Sequence, residues 1–206
     1  MGQIRPIIVL LAAFVLYAVV FHCSGIFFWG GLGVTAIALA LGGRWASGDV
    51  LRKQFRFPGW HWMLEGGVLG AMALYVVFLI GGYCSTLIVP NGAGSIHSIY
   101  DRGDGVPQAV ILAVLVIVAS AEEIYWRGCL QPMLTERFGW FAAWIGTAAL
   151  YAAVHIAAGN FVLFGAAGVA GLAFGLVASM RPGLFGVILM HLLFDITAFQ
   201  IAPMRF

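Results

Sequence analysis

The stretch Ala121-Glu122-Glu123-Ile124-Tyr125-Trp126-Arg127-Gly128 sets two adjacent carboxylates and a guanidinium inside a run that is otherwise apolar. A charge at the middle of a hydrocarbon layer costs at least about 2.5 to 3.5 kcal/mol, so ionisable residues placed there point to function. Further along stand His155 and then His191 and Asp195, again in apolar surroundings. Carboxylates and imidazoles in such a setting can move protons as general acids and bases, and an imidazole N–H can stabilise an oxyanion.

Spacing divides the labour among them. Neighbours on a helix point about 100° apart, so Glu122 and Glu123 cannot serve the same purpose. Glu123 and Arg127 are four positions apart with the acid first, the favourable order for an intrahelical pair. They are expected to support each other and to leave Glu122 facing His155. The first convincing place for the chain to turn back is Phe138-Gly139. Glu122 lies 16 positions before residue 138 and His155 lies 17 after it. At about 1.5 Å per residue a helical hairpin brings the two level, with a shift of a few ångströms if Pro132 kinks the first arm. His191 and Asp195, four apart, share a helix face, where the carboxylate can accept from the imidazole and fix its tautomer. A lone intramembrane histidine is usually a packing residue. Four such groups, Glu122, His155, His191 and Asp195, on three helices argue for a site. His22, His61 and His97 lie at or beyond membrane edges and receive no role.

The rest of the chain must position these groups within a membrane. Of its 206 residues 63% are hydrophobic and 9% charged, and the mean hydropathy is +1.02. Those values exclude an ordinary globular surface and imply a polytopic membrane protein. A net charge of +2 with no basic run gives no support for nucleic acid as a partner. Cys23, Cys84 and Cys129 show no C-x-x-C spacing, against a disulfide framework or a thiolate zinc site.

About 20 apolar residues span a bilayer, which predicts an all-α transmembrane bundle of about seven spans near 4–22, 26–43, 63–89, 109–137, 139–157, 161–180 and 183–202. The first is read as a membrane anchor rather than a cleaved leader, since Phe21 and His22 precede Cys23 where small residues would be needed. The whole is one integral membrane domain, with N-terminal spans and loops in 1–108 and the catalytic helical core in 109–206. Polar loops are expected at 44–62 and 90–108, the first with an aromatic interfacial segment from Phe55 to Trp62. With the N-terminus in the cytoplasm, eight of the ten Lys and Arg residues fall on or toward that side and only Arg102 and Arg205 outside. Gly165, Gly168, Gly171 and Gly175 mark 161–180 as a helix that packs closely on its neighbours.

The sequence resembles the CAAX-processing and bacteriocin-processing endopeptidases, the CPBP or Abi family of glutamic-type intramembrane proteases. The resemblance rests on Glu122-Glu123-Ile124-Tyr125-Trp126-Arg127, then Tyr151-Ala152-Ala153-Val154-His155, then His191-Leu192-Leu193-Phe194-Asp195. It covers about residues 109 to 200. It implies a multi-pass protein of the cell membrane that hydrolyses a peptide bond near the membrane surface. By the resemblance, Glu122 and His155 activate water, His191 with Asp195 stabilises the oxyanion, and Glu123, Arg127 and Tyr151 support them.

Two positions depart from the family pattern. Phe is common where Tyr151 stands, so a hydroxyl is added. Asn is common where Asp195 stands, so Asp195 is either protonated or acts through His191.

The implied substrate is a peptide or protein with a membrane-associated or C-terminal anchoring segment, with membrane lipid as surroundings. No cofactor is required. The same residues also suit a divalent metal such as zinc, although no H-E-x-x-H helix is present. A small proton-coupled transporter and a non-enzymatic peptide-binding membrane protein are the readings from other classes.

Overall fold

The computed structural model describes residues 4–181 and 183–206, and among these every regular element is helical. In a hydrocarbon layer every backbone N–H and C=O must find its partner internally, which long helices achieve within themselves. Two helices open the chain, α1 (Ile4–Phe21) and α2 (Gly25–Ser47). A short α3 (Val50–Gln54) leads into α4 (Trp60–Ile88). The short α5 (Gly92–Tyr100) then leads into α6 (Gln108–Phe138). The remaining helices are α7 (Trp140–Ala158), α8 (Phe161–Met180) and α9 (Phe185–Ile201). Six of them, α1, α2, α4, α6, α7 and α8, are long and apolar enough to cross a membrane, and α9 is a shorter apolar helix. The seven predicted spans are thus six long helices and a shorter seventh.

Helix ends differ from the predicted spans where charge was taken as the boundary. α2 continues past Arg44 to Ser47, and α4 begins at Trp60, inside the predicted loop. A charge marks the end of the apolar stretch, not of the hydrogen-bonded helix. Both polar connections also carry a short helix, α3 in one and α5 in the other.

Burial is arranged for lipid. Ile7, Leu11, Val15 and Val19 on α1 are exposed, whereas Glu122, Glu123, Arg127, His155, His191 and Asp195 are buried. At one end of the bundle Arg5 lies over the Trp45 ring at 5.0 Å and Arg181 over Trp62 at 5.7 Å. There the Leu184 N–H donates to the Gln54 carbonyl at 2.9 Å. At the other end Arg102 reaches the carbonyls of Phe21 (3.3 Å) and Cys23 (3.4 Å). The Trp29 indole donates to the Arg102 carbonyl at 3.0 Å, and Asn160 donates to the Ser95 carbonyl at 2.8 Å.

α6 and α7 form the expected hairpin, turning at Gly139 with φ +82, a left-handed conformation that glycine adopts without a Cβ clash. α6 widens into a π-helical turn over Trp126–Leu130. That turn lies just ahead of Pro132, which has no N–H to donate and whose ring would crowd the carbonyl four residues before it. α8 packs on α7 along Gly168, Gly171 and Gly175. A Cβ on Gly171 would lie 3.1 Å from the Ala148 Cα and 3.2 Å from its carbonyl oxygen, so the backbones approach as closely as small residues permit.

Candidate active site

The two glutamates, being adjacent on α6, point into different surroundings. Glu122 takes a hydroxyl on each oxygen, Tyr17 of α1 donating to Oε1 and Tyr151 of α7 to Oε2, the latter at 2.7 Å. Glu123 instead joins two cations or potential cations through Oε1. Arg127 Nη1 donates to it at 3.0 Å, and His191 Nδ1 lies 2.9 Å away. The pairing of Glu123 with Arg127 along the helix follows the spacing; the contact with His191 crosses from α6 to α9.

Arg127 is itself held on several sides. Its Nη2 donates to the Gly171 carbonyl at 3.1 Å, and its guanidinium carbon lies 4.8 Å from the Tyr151 ring centre and 5.4 Å from that of Phe174. A planar fork with separate donors can make these contacts together, which an ammonium cannot. The glycine that allows α7 and α8 to meet thus also offers the carbonyl that fixes Arg127.

His155 sits in the last turn of α7, where the helix tightens to a 3-10 form over His155–Ala158. Its Nδ1 lies 2.7 Å from the Tyr151 carbonyl oxygen. A carbonyl only accepts, so Nδ1 carries the proton and Nε2 of the neutral ring is left as an acceptor. Tyr17, Phe21 and Tyr151 surround the imidazole, with ring centres 5.4, 5.5 and 5.0 Å away. His191 stacks on Phe174 at 4.3 Å between ring centres, and its Nε2 faces Asp195 Oδ2 at 3.4 Å. Each nitrogen of His191 therefore has a carboxylate oxygen before it, with Glu123 the nearer.

Glu122, Tyr151, His155, His191 and Asp195 all line one cavity of about 460 Å³. Its remaining wall is largely apolar, with Phe21, Phe28, Phe78, Phe174 and Phe194 among the lining residues. Glu123 and Arg127 stand behind it, fully buried. Among the described residues, no three His, Cys, Asp or Glu side chains gather around a point that a metal ion would occupy. At the cavity's outer end Arg102 lies against Phe28, 4.7 Å from the ring centre, and burial there lowers its pKa from the usual guanidinium value.

The family model for type II CAAX prenyl endopeptidase Rce1-like proteins matches residues 105–197. Over that stretch, a little under half of the chain, the sequence is similar to the CAAX protease family. The matched stretch carries Glu122, Glu123, Arg127, Tyr151, His155, His191 and Asp195, all the site residues expected from the sequence. No curated protein and no solved structure matches the chain. The likeness, with six helices long and apolar enough to cross a membrane, indicates a multi-pass membrane protein and supports a protease activity.

One site residue escaped the sequence reading. Tyr17 lies outside the matched stretch, on α1, and is fully buried. Its only signal was a hydroxyl in the middle of an apolar span, and such a tyrosine ordinarily reads as packing.

Proposed function

We propose that this protein is an intramembrane endopeptidase that hydrolyses a peptide bond with water activated between Glu122 and His155. The observation that carries the reading is the shared cavity. A carboxylate oriented by two hydroxyls and an imidazole with a free Nε2 face one space, and a second imidazole lies across it. Peptide hydrolysis needs these parts: a base for water, a donor for the tetrahedral oxyanion and a proton for the leaving amine.

In the proposed sequence a water donates to Glu122 and to Nε2 of His155. As its oxygen attacks the scissile carbonyl carbon, Glu122 takes its proton. The carbonyl π pair moves to the oxygen, which is met by the Nε2–H of His191, turned from its longer contact with Asp195. Collapse of the tetrahedral intermediate breaks the C–N bond, and the proton on Glu122 passes to the departing nitrogen. Glu123 holds the His191 ring through Nδ1 throughout, and Asp195 faces Nε2 until the substrate oxygen takes its place. No covalent intermediate and no cofactor enters the sequence. The apolar cavity wall suits a substrate with a membrane-embedded or membrane-anchored segment, such as a C-terminal tail.

The test is the purified protein in proteoliposomes with peptides that carry an apolar anchoring segment, the products read by mass spectrometry. Release of a defined fragment is the expected result. Proton flux across the liposome with all peptides intact would replace the peptidase by a transporter.

A further inference from the structure

The cavity wall is drawn from one end of the bundle. It uses the end of α1 (Phe21), the start of α2 (Phe28), the last half of α4 (Phe78) and the α5 to α6 connection (Arg102), and it continues with the end of α7 (His155) and the first half of α8 (Phe161). His155 stands in the last turn of its helix, so it lies close to that surface.

Positive charge is concentrated at the opposite end. Arg5 begins α1, Arg44 lies in the last turn of α2, Arg52 and Lys53 in α3, and Arg56 just after it. Arg137 lies in the last turn of α6 and Arg181 follows α8. Contacts of Arg5 with Trp45, of Arg181 with Trp62 and of Leu184 with Gln54 tie these segments into one end. The cavity end carries only Arg102 and Arg205, while Arg127 is buried within the site and does not count. Short connecting loops rich in Lys and Arg are retained in the cytoplasm, whatever their acidic residues.

We propose that the cavity opens on the side of the membrane facing away from the cytoplasm, so that its substrates are translocated polypeptides held there by an apolar anchoring segment. This rests on the peptidase reading and names its substrate class. A tail borne on the cytoplasmic leaflet meets the charged end, at the far side of the bundle from His155 and from the residues that form the cavity wall. A polypeptide already carried across presents its chain beside Phe161, which is 71% exposed at the cavity wall.

The experiment reads orientation without needing activity. In full-length protein with Cys23→Ser and Cys84→Ser, single cysteines are introduced at the cavity end by Asp101→Cys or Asp104→Cys, and at the charged end by Asp49→Cys or Glu136→Cys. Cys129 stays, since it is buried. Cells producing each variant are treated with a membrane-impermeant maleimide before and after permeabilisation. The cavity-end pair is expected to react in intact cells and the charged-end pair only after permeabilisation. The reverse pattern, or reaction of both ends in intact cells, overturns the proposal. Two positions at each end keep the result readable should one variant fail to accumulate. Addition of an anchored peptide to right-side-out and inside-out vesicles then tests the substrate class, with cleavage expected by right-side-out vesicles and cleavage by inside-out vesicles alone contradicting it. The expected labelling without any cleavage removes the peptidase reading and leaves the orientation standing.

Discussion

The hydroxyl of Tyr17 donates to Oε1 of Glu122 across 105 positions of sequence, which ties the first span to the proposed base on the fourth. With Tyr151 on Oε2, Glu122 can neither rotate nor swing without breaking a hydrogen bond to a buried hydroxyl. Tyr17→Phe keeps the ring and removes the donor. A hydrogen bond to a charged group contributes about 1.5 to 3 kcal/mol, so kcat should fall roughly ten- to a hundredfold with KM little changed. An unaltered kcat, or a loss confined to KM, would assign Tyr17 to packing alone.

Glu123 and Arg127 should matter more to stability than Glu122 does. Removing one partner of a buried ion pair costs about 3 to 5 kcal/mol, because the other charge is left unpaired. Glu123→Ala should therefore lower the melting temperature in detergent well below that of Glu122→Gln. Arg127→Lys should not restore the loss, since one ammonium cannot reach both Glu123 and the Gly171 carbonyl in the same geometry. Equal melting temperatures for Glu123→Ala and the parent would contradict this division.

Glycines on α8 should respond differently to the same change. Gly171→Ala drives a Cβ to within 3.1 Å of the Ala148 backbone, an overpacking that costs about 1 to 3 kcal/mol. Gly165, which lines the cavity, has nothing within 4 Å of an added Cβ. Gly165→Ala should fold with unchanged stability, and Gly165→Leu should narrow the cavity and raise KM. Thermal unfolding and peptide titrations separate the two.

Asp195 tests how His191 is supported. Its Oδ2 faces Nε2 of His191, and an asparagine carbonyl can accept from the same N–H. Asp195→Asn should keep kcat within about tenfold of the parent, whereas Asp195→Leu, which leaves the imidazole without that acceptor, should lose about a hundredfold, in line with about 1 to 3 kcal/mol for an unmet buried group. Loss of activity in both variants alike would require the charge itself. A chelator added to active protein should leave the rate unchanged, and restoration by zinc after chelation would move the reaction to a metal.

Much of the site could be read from spacing because helices convert separation in sequence into depth. Gly139 fixes where α6 and α7 turn, and counting from it placed His155 near the depth of Glu122; the two share one cavity, but the residue hydrogen-bonded to Glu122 is Tyr151, one turn nearer the hairpin. The intrahelical pair of Glu123 with Arg127 followed from a separation of four. What spacing does not determine is how each helix is rotated about its axis against a distant neighbour. That rotation sets Nδ1 of His191 on Glu123 and swings Tyr17 inward to Glu122. The short helices α3 and α5 were hidden for another reason: polar composition identifies a connection without saying how its backbone is hydrogen-bonded.

The most direct measurement is the single-turnover cleavage rate of an anchored peptide by the parent protein and by Glu122→Gln, each in proteoliposomes and each shown to unfold at the same temperature. General acid and base groups contribute about a hundred- to ten-thousandfold, and a loss in that range is the predicted result. A Glu122→Gln protein that cleaves within tenfold of the parent would contradict the assignment of Glu122 as the base.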